Sequence, residues 1–343
     1  MDYRSAFLSP SDLESFTAHL QRSQRIVAVP GAGLSASSGL PTFRGAGGLW
    51  RNYNATSLAT PGAFRSDPGL VWMFYSYRRH MSLNAKPNPA HYALAELARR
   101  KPEFLTLSQN VDGLSPRAGH PADQVKLLHG SLFDVKCEDE SCGYIRRDDF
   151  DDPIVPALAI PADESSMAEQ SKARPDQALQ AAMARKAALI KGLDISDASI
   201  PIPTIPRSSL PHCPKCKTSL LRPGVVWFGE MLPEAVLSDI DAYFDEVDPK
   251  PQAEAGNKGH MQPKKVDLCL VIGTSSQVYP AAGYASQARS MGARVAVINT
   301  DPSDARDLQE GDWFFKGDAA DIVPEILKSV IGEPKASEVG KAG

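Results

Sequence analysis

The composition of the 343-residue chain, 42% hydrophobic and 23% charged, is that of a folded globular protein with one large domain and a smaller companion. A formal net charge of -4 excludes a general attraction to nucleic acid or anionic membranes, and no apolar run approaches the roughly 20 residues that cross a bilayer. The N-terminus lacks the apolar core of a secretory signal. We therefore expect an intracellular protein of the mitochondrion, cytoplasm or nucleus, a monomer that binds neither nucleic acid nor membrane.

The first strong motif follows a short β-branched run, Ile26–Val29, which predicts a buried strand. Gly31 and Gly33 come next and allow a tight turn and a close backbone approach that any Cβ would obstruct. A strand, a glycine turn and a segment of small residues are together typical of pyrophosphate binding through backbone N–H groups. For this motif alone a glycine-rich surface turn is an equal alternative, and the spacing is not the GxGxxG of dehydrogenases.

Polar residues follow the next two predicted strands. Asn110 and Asp112 come after Phe104–Ser108, and His129 comes after Val125–Leu128. Open α/β sheets bind ligands at the carboxyl ends of their parallel strands. A single His is more often structural than catalytic, but a position level with Asn110 and Asp112 favours a catalytic role.

The rest of the chain predicts helices on either side of further strands. A βαβ unit is predicted from Val266–Ile272, Ala281–Met291 and Arg294–Ile298. Asn299 and Asp301 follow it and could form hydrogen bonds to ribose hydroxyls, and the alternative is that they form an ordinary β-turn. Other predicted helices are Ser11–Ser23, Val71–Met81, Pro89–Arg100, Pro233–Val247 and Ala319–Val330, with an exposed one at Ala178–Lys191 inside a long insert. A strand is also predicted at Gly224–Glu230.

The cysteines predict a structural metal site. Cys137 and Cys142 form a C-x4-C pair, and Cys213 and Cys216 form a C-x2-C pair of the zinc-knuckle type. Two such pairs complete a tetrahedral Zn²⁺ site without a position for a catalytic water, so one structural zinc is expected. Cys269 lies in an apolar strand and is expected in the core.

Taken together, the motifs resemble those of the sirtuin family, the NAD-dependent protein lysine deacylases, and within it class III. GAGLSASSGLPTFRG, QNVDGL, HGS, VVWFGE, GTSSQVYPA and INTD occur in the family's order, and the match runs from Arg25 to Val330. The insert at about 150–206 and the loop at 249–263 look longer than the family minimum.

The resemblance implies an α/β fold. It consists of a Rossmann-like parallel sheet with helices on both faces, plus a smaller domain made of a zinc module and a helical module, with NAD and acyl-lysine entering between the two. The implied boundaries are 1–44, 85–132 and 219–331 for the NAD-binding large domain, 45–84 for the helical module, 133–218 for the zinc module and 332–343 for a flexible tail.

The resemblance also implies roles for individual residues. Asn110 would order a water, Asp112 would hold the nicotinamide carboxamide, and His129 would be the general base, for which an imidazole with a pKa of about 6.5 is suited. The reaction would consume NAD and one water and give nicotinamide, free lysine and O-acyl-ADP-ribose. The other residues implied for NAD are Gly31, Ala32, Gly33, Ser35, Thr42, Phe43, Arg44, Trp50, Gln109, Val111, Gly273, Thr274, Ser275, Asn299, Thr300, Asp301 and Ala319.

One predicted helix indicates which kind of acyl group the protein removes from lysine. Tyr75 and Arg78 stand at i and i+3 and share a helical face, and an Arg fork beside a phenol hydroxyl is a carboxylate receptor. The pair resembles that of sirtuins that remove succinyl, malonyl and glutaryl groups, and Ala59 is small where a bulkier residue would shorten the pocket. The alternative is an ordinary amphipathic helix with Arg79 solvated and Tyr75 in the core.

The substrate peptide would add as a strand to the edge formed by Val226, Trp227 and Phe228. Two other activities remain open on the same site, a plain deacetylase and a protein ADP-ribosyltransferase. A third alternative is a binding module whose zinc knuckle recognises a partner. The intact Asn110, Asp112 and His129 disfavour that third alternative.

Overall fold

A computed structural model of the protein describes residues 8–42, 48–161, 194–247 and 263–333. The chain divides into two compact units. The first unit comprises Met1–Pro41, Pro87–Gly130 and Met231–Gly343, and the second comprises Thr42–Lys86 and Ser131–Glu230. Within the described ranges, no helix is both long and apolar enough to span a bilayer.

The strands and helices alternate through much of the described chain. In order, the strands are β1 (Ile26–Pro30), β2 (Leu49–Trp50), β3 (Tyr53–Asn54), β4 (Phe104–Ser108), β5 (Val125–Leu127), β6 (Gly130–Cys137), β7 (Ile145–Arg146), β8 (Leu221–Val225), β9 (Leu268–Ile272), β10 (Arg294–Asn299) and β11 (Trp313–Lys316). The α-helices are Pro10–Arg22, Ala55–Leu58, Pro61–Ser66, Pro68–Asn84, Pro89–Arg100, Leu114–Arg117, Glu234–Phe244, Gly283–Ser290 and Ala319–Ile331.

The first unit is built on a six-stranded sheet in the order β11-β10-β9-β1-β4-β5, and every neighbouring pair is parallel. In each of the strands β1, β4 and β9, all five residues are buried, as is expected of parallel strands covered on both faces. In the central register, Ile26 lies opposite Phe104 on one side and Leu268 on the other. The carboxyl ends of these strands therefore meet at one edge of the sheet.

Helices cover both faces of this sheet. Successive side chains of a strand point to opposite faces, so Ile26 and Ala28 join one core cluster, while Val27 and Val29 join another. The first cluster is closed by the helices Pro10–Arg22, Pro89–Arg100 and Ala319–Ile331, and the second by Glu234–Phe244 and Gly283–Ser290. The predicted α/β fold class, with a parallel sheet between two helical layers, is confirmed.

The second unit combines helices with two small sheets. Strands β2 and β3 form an antiparallel pair, and β6 is the central strand of the order β7-β6-β8. Its longest described helix, Pro68–Asn84, buries Arg79, which is only 1% exposed. The Arg79 guanidinium donates to the carbonyl oxygens of Leu132 (2.6 Å), Asp149 (2.7 Å) and Asp151 (2.9 Å). The alternative of an amphipathic helix with a solvated Arg79 is therefore wrong on this residue: the cation fixes the helix to the zinc-binding part of the unit.

The sequence predictions differ from the structure at two strands. The predicted strand Gly224–Glu230 is wrong, because the strand is Leu221–Val225 and it pairs in the small sheet of the second unit. Residues 219–230 accordingly lie in the second unit and not in the predicted large domain. Strand β11 has no counterpart in the predictions. The predicted helix Ala178–Lys191 lies outside the described residues, as do most of the 249–263 loop and nearly all of the 332–343 tail.

Candidate active site

The glycine-rich turn after β1 packs against the turn after β9. Gly33 N donates to Gly273 O at 2.8 Å. A Cβ added to Gly31 would lie 2.6 Å from the Thr274 Cβ, and one added to Gly33 would lie 2.7 Å from the Gly273 Cα. Gly273 itself has a φ of +57°, which a side chain would strain. The close backbone approach that the sequence predicts is therefore present, and its immediate partner is a second loop of the same chain.

The polar residues after β4 are connected to the segment Ala32–Ser38, a 3₁₀ helix that follows β1. Asn110 Nδ2 donates to Gly31 O (3.0 Å) and to Ser35 Oγ (3.2 Å). Ser35 Oγ in turn donates to Asp112 Oδ2 at 2.7 Å, and the other Asp112 oxygen accepts from Leu114 N at 2.9 Å. Because Ser35 and Asp112 are buried, these bonds are shielded from water and hold the side chains in one arrangement.

His129 lies at the end of β5 in a defined protonation state. Its Nδ1 is 2.9 Å from the carbonyl oxygen of Gln109. A carbonyl oxygen only accepts, so Nδ1 carries the proton and Nε2 of the neutral ring keeps a free lone pair. Burial lowers the pKa of His129 below its usual 6.5, partly opposed by the Gln109 hydrogen bond. The ring is therefore neutral at pH 7 and can accept a proton through Nε2.

Side chains after β9 and β10 complete the polar edge. Gln109 Nε2 donates to Thr274 Oγ1 at 3.0 Å, which joins the β4 and β9 ends. Asn299 Nδ2 donates to Thr274 O (3.0 Å) and to Asp304 Oδ2 (2.9 Å). The Asp301 carboxylate accepts from Ser303 N at 2.9 Å and so caps the 3₁₀ turn Pro302–Ala305. The remaining predicted NAD residues of the first unit also follow strand ends: Ala32, Val111, Ser275, Thr300 and Ala319.

Three supporting residues of this edge were not predicted from the sequence. Asn88 Nδ2 donates to Leu34 O at 2.8 Å, and His91 forms a capping box with Asn88 and has its Nε2 3.4 Å from Ser35 Oγ. Burial lowers the pKa of His91 to about 4. Asp318 accepts from Ser37 Oγ at 2.7 Å. The Asn-Pro start of a helix is the only local signal for this role, and it gives no indication of which loop the helix supports.

The predicted cofactor residues of the second unit are Thr42 and Trp50, whereas Phe43 and Arg44 lie outside the described residues. Trp50 is 3% exposed, and its ring packs edge-on against Phe74 at 5.5 Å between centroids. Its indole Nε1 is buried without a hydrogen-bond partner. A role of Trp50 in NAD binding stays a prediction.

The four predicted zinc ligands are brought together. Their sulfur atoms all lie within 4.8 Å of one another, with Cys137–Cys216 at 3.8 Å and Cys142–Cys213 at 3.7 Å. A tetrahedral zinc with Zn–S bonds of about 2.3 Å separates its ligand sulfurs by roughly 3.8 Å. The donor set and the spacing therefore fit one Zn²⁺ ion with all four positions filled by thiolates.

An aromatic cluster surrounds the predicted acyl-binding residues. Tyr75 is 3% exposed and lies 4.9 Å from Phe74 and 6.2 Å from Trp227 between ring centroids. Trp227 Nε1 donates to the Tyr75 hydroxyl at 2.9 Å. The partly buried Arg78 has its guanidinium carbon 5.5 Å from the centre of the Phe74 ring, and its charge acts on the phenol of Tyr75. Tyr75, Arg78 and Trp227 thus lie together in the second unit.

The residues expected at the peptide edge are not a strand. They follow the end of β8, where Val226 and Phe228 are partly or largely exposed and Trp227 is only 2% exposed. Phe228 N donates to Ala59 O at 2.9 Å, so this segment is tied to the predicted acyl-pocket residue. The buried Trp227 side chain would leave only the backbone of this segment for pairing with a peptide, and the peptide edge stays a prediction.

Comparison with known proteins identifies the family. The model of the Sir2 family matches residues 31–280. This chain belongs to the Sir2 family. The resemblance to the sirtuins is therefore confirmed. Two relatives are an NAD-dependent protein deacylase of Candida albicans, 45% identical over 94% of this chain and 98% of that protein, and the mitochondrial NAD-dependent protein deacylase sirtuin-5 of Danio rerio, 37% identical over 93% and 87%.

Solved Sir2 structures share the fold of this family member. A Sir2 homologue in complex with NAD aligns with a TM-score of 0.65 at 32% identity, over 92% of this chain and 93% of that one. A mutant Sir2 homologue in complex with 2′-O-acetyl ADP ribose aligns with a TM-score of 0.64 at 31% identity, over 94% and 96%.

Proposed function

We propose that this Sir2-family protein removes negatively charged acyl groups (succinyl, malonyl and glutaryl) from protein lysines. NAD-dependent protein deacylation is the broader activity, and it follows from membership of the family and from relatives at 37–45% identity that carry that name. NAD is consumed as a cosubstrate together with one water, and the products are nicotinamide, free lysine and an O-acyl-ADP-ribose.

NAD would be held at the carboxyl edge of the parallel sheet. The Gly31–Gly33 turn packs directly on the turn at Gly273, with Gly31 N and Gly33 N donating to Ile272 O and Gly273 O, and this packing would shape one wall of the NAD site. Asn110 and Asp112 would supply an amide and a carboxylate to it. Bound NAD supplies the ribose carbon that takes the acyl oxygen when nicotinamide leaves. Because the carboxylate of Asp112 is oriented by Ser35 and by Leu114 N, it can accept an amide N–H from a fixed direction. Asn299 and Asp301 would contact the adenosine ribose.

His129 would act as the general base. The Gln109 carbonyl oxygen fixes the Nδ1–H tautomer and so leaves Nε2 to accept the proton of a ribose hydroxyl. The lowered pKa keeps the ring unprotonated at neutral pH, which is the state that a base requires. The proposed zinc would take no part in this step, because four thiolates would enclose it and leave no position for a reacting group.

The observation that carries the acyl preference is the buried phenol of Tyr75 next to Arg78. Burial raises the pKa of Tyr75 to about 12, so the hydroxyl stays protonated and can donate. Its oxygen already accepts from Trp227, which leaves the phenol proton for another acceptor. A carboxylate in this place would accept a hydrogen bond from the phenol and would be attracted by the positive charge of Arg78. An acetyl methyl group would make neither interaction. Ala59, with its small side chain, would leave length for the longer acyl chains.

The proposal is tested with one peptide that carries acetyl, malonyl, succinyl, glutaryl or myristoyl lysine, each assayed with saturating NAD. The three acidic acyl groups should exceed acetyl in kcat/KM by about tenfold or more, since a hydrogen bond to a charged group contributes roughly 1.5–3 kcal/mol. Equal or higher kcat/KM for acetyl or myristoyl lysine would contradict the acidic preference. Mass spectrometry of the peptide distinguishes deacylation from transfer, because a transferase leaves ADP-ribose on it.

A further inference from the structure

The hydroxyl of Tyr75 has a buried neighbour that determines where its proton can point. The indole N–H of Trp227 donates to the phenol oxygen at 2.9 Å, and the two side chains are 2% and 3% exposed. A phenol has one proton and two acceptor lone pairs on its oxygen. The indole takes one lone-pair direction, so the phenol proton is turned away from Trp227 toward the remaining directions.

The position of Trp227 is fixed by contacts to the face of its indole ring and to its backbone N–H. The guanidinium carbon of Arg222 lies 3.3 Å from the centre of the Trp227 ring. Arg222 is held by Glu230, with Nη2 to Oε2 at 3.0 Å, and by the Val225 carbonyl oxygen, also at 3.0 Å. Glu230 Oε2 also accepts from Trp227 N at 2.9 Å. Because a charged pair and a backbone hydrogen bond hold the ring, the direction of its N–H is fixed.

We propose that Trp227 is a specificity-determining positioning residue, whose indole N–H orients the Tyr75 hydroxyl to donate to the carboxylate of an acidic acyl chain. This role rests on the proposed acidic preference and deepens it. An aromatic residue without an N–H would fill similar space but would let the phenol proton rotate toward the position that the indole now occupies. The hydroxyl would then be oriented for the carboxylate for only part of the time, whereas an acetyl group would be unaffected.

A double-mutant cycle tests this role, with Trp227→Phe, Tyr75→Phe and the double variant assayed for kcat and KM on succinyl and acetyl peptides. Trp227→Phe should lower the succinyl-to-acetyl ratio of kcat/KM by about 3- to 10-fold, the equivalent of one net hydrogen bond. In the Tyr75→Phe background the same change should alter the ratio less than about twofold, because no hydroxyl remains to be oriented. An equal effect in both backgrounds would overturn the proposal.

Two further variants separate orientation from packing. Replacing Trp227 with 3-benzothienylalanine keeps the ring shape and removes the N–H, so it should reproduce the lower ratio even where Trp227→Phe folds poorly. Phe64→Leu is the matched control, because the Phe64 ring lies 5.3 Å from that of Trp227 without being part of the hydrogen bond. It should leave the ratio unchanged. A fall in the ratio with Phe64→Leu as large as that with the benzothienyl variant would assign the effect to packing.

The wild-type assay separates this inference from the proposed function. A wild type that prefers succinyl lysine, combined with an unchanged ratio in the benzothienyl variant, overturns the role of Trp227 alone. A wild type without such a preference overturns both proposals.

Discussion

The polar edge of the first unit and the aromatic cluster of the second are built by different physical means. At the sheet edge, short side chains such as Ser35, Asn110 and Asp112 bond to one another and to backbone, and parallel strands bring them together. In the cluster, Tyr75 from a long helix meets Trp227 from a turn through ring packing and one side-chain hydrogen bond. The sheet edge therefore follows from the fold, and the cluster follows from the choice of particular side chains.

This difference suggests a division of labour. A catalytic edge that follows from strand topology could serve any acyl group, because its proposed contacts are with NAD and its ribose. A pocket made of a few replaceable side chains can set the acyl preference without changing the sheet. Changes at the edge should therefore affect all acyl substrates alike, whereas changes in the cluster should affect their ratio.

Removal of zinc should give the largest effect and should disrupt the whole second unit. Strand β6 ends at Cys137, and β8 follows the second cysteine pair and leads to Trp227, so the thiolates join the end of β6 to the segment before β8. Structural zinc contributes on the order of 10 kcal/mol or more to small metal-bound folds. We expect one zinc per chain by mass spectrometry of metals. Cys216→Ser, like a strong chelator, should abolish turnover of every acyl peptide. Zinc-depleted protein with full activity would refute a structural site.

His129→Ala should reduce turnover of all acyl substrates by the same factor, about 10²- to 10⁴-fold, as expected for loss of a general base. The succinyl-to-acetyl ratio should stay unchanged, which distinguishes this residue from the aromatic cluster. Because burial lowers the pKa of His129, log kcat/KM of the wild type should be flat near pH 7 and fall only below about pH 6.5. Single-turnover assays provide the measurement. Turnover in the variant close to that of wild type would exclude His129 as the base.

The same contrast explains how much could be predicted from the sequence. Short, mostly apolar runs predicted five of the six parallel strands, and most of these strands are buried, as parallel strands covered on both faces are. The order of polar residues after those strands then indicated Asn110, Asp112 and His129. β11, at Trp313–Lys316, was not predicted. Gly224–Glu230 was misassigned because its apolar residues serve the turn and the aromatic cluster.

Contacts between distant segments could not be predicted in the same way. The hydrogen bond from Trp227 to Tyr75 joins residues 152 positions apart, and the bond from Asn88 to Leu34 joins residues 54 positions apart. Local pattern has no information on such pairs. The burial of Arg79 could likewise not be predicted, because the carbonyl oxygens that enclose it come from segments at least 53 positions away along the chain.

The acidic acyl preference is tested most directly by Arg78→Met, with Arg78→Lys as the control that keeps the charge but loses the planar fork. Loss of the charged hydrogen bond should cost on the order of 2–4 kcal/mol in transition-state binding of succinyl lysine and little for acetyl lysine. The measurement is the ratio of kcat/KM for succinyl over acetyl peptide. Arg78→Met should lower this ratio by about 30- to 1000-fold with NAD binding retained. The ratio for Arg78→Lys should lie between those of the wild type and Arg78→Met. A ratio in Arg78→Met equal to that of the wild type would contradict the carboxylate assignment.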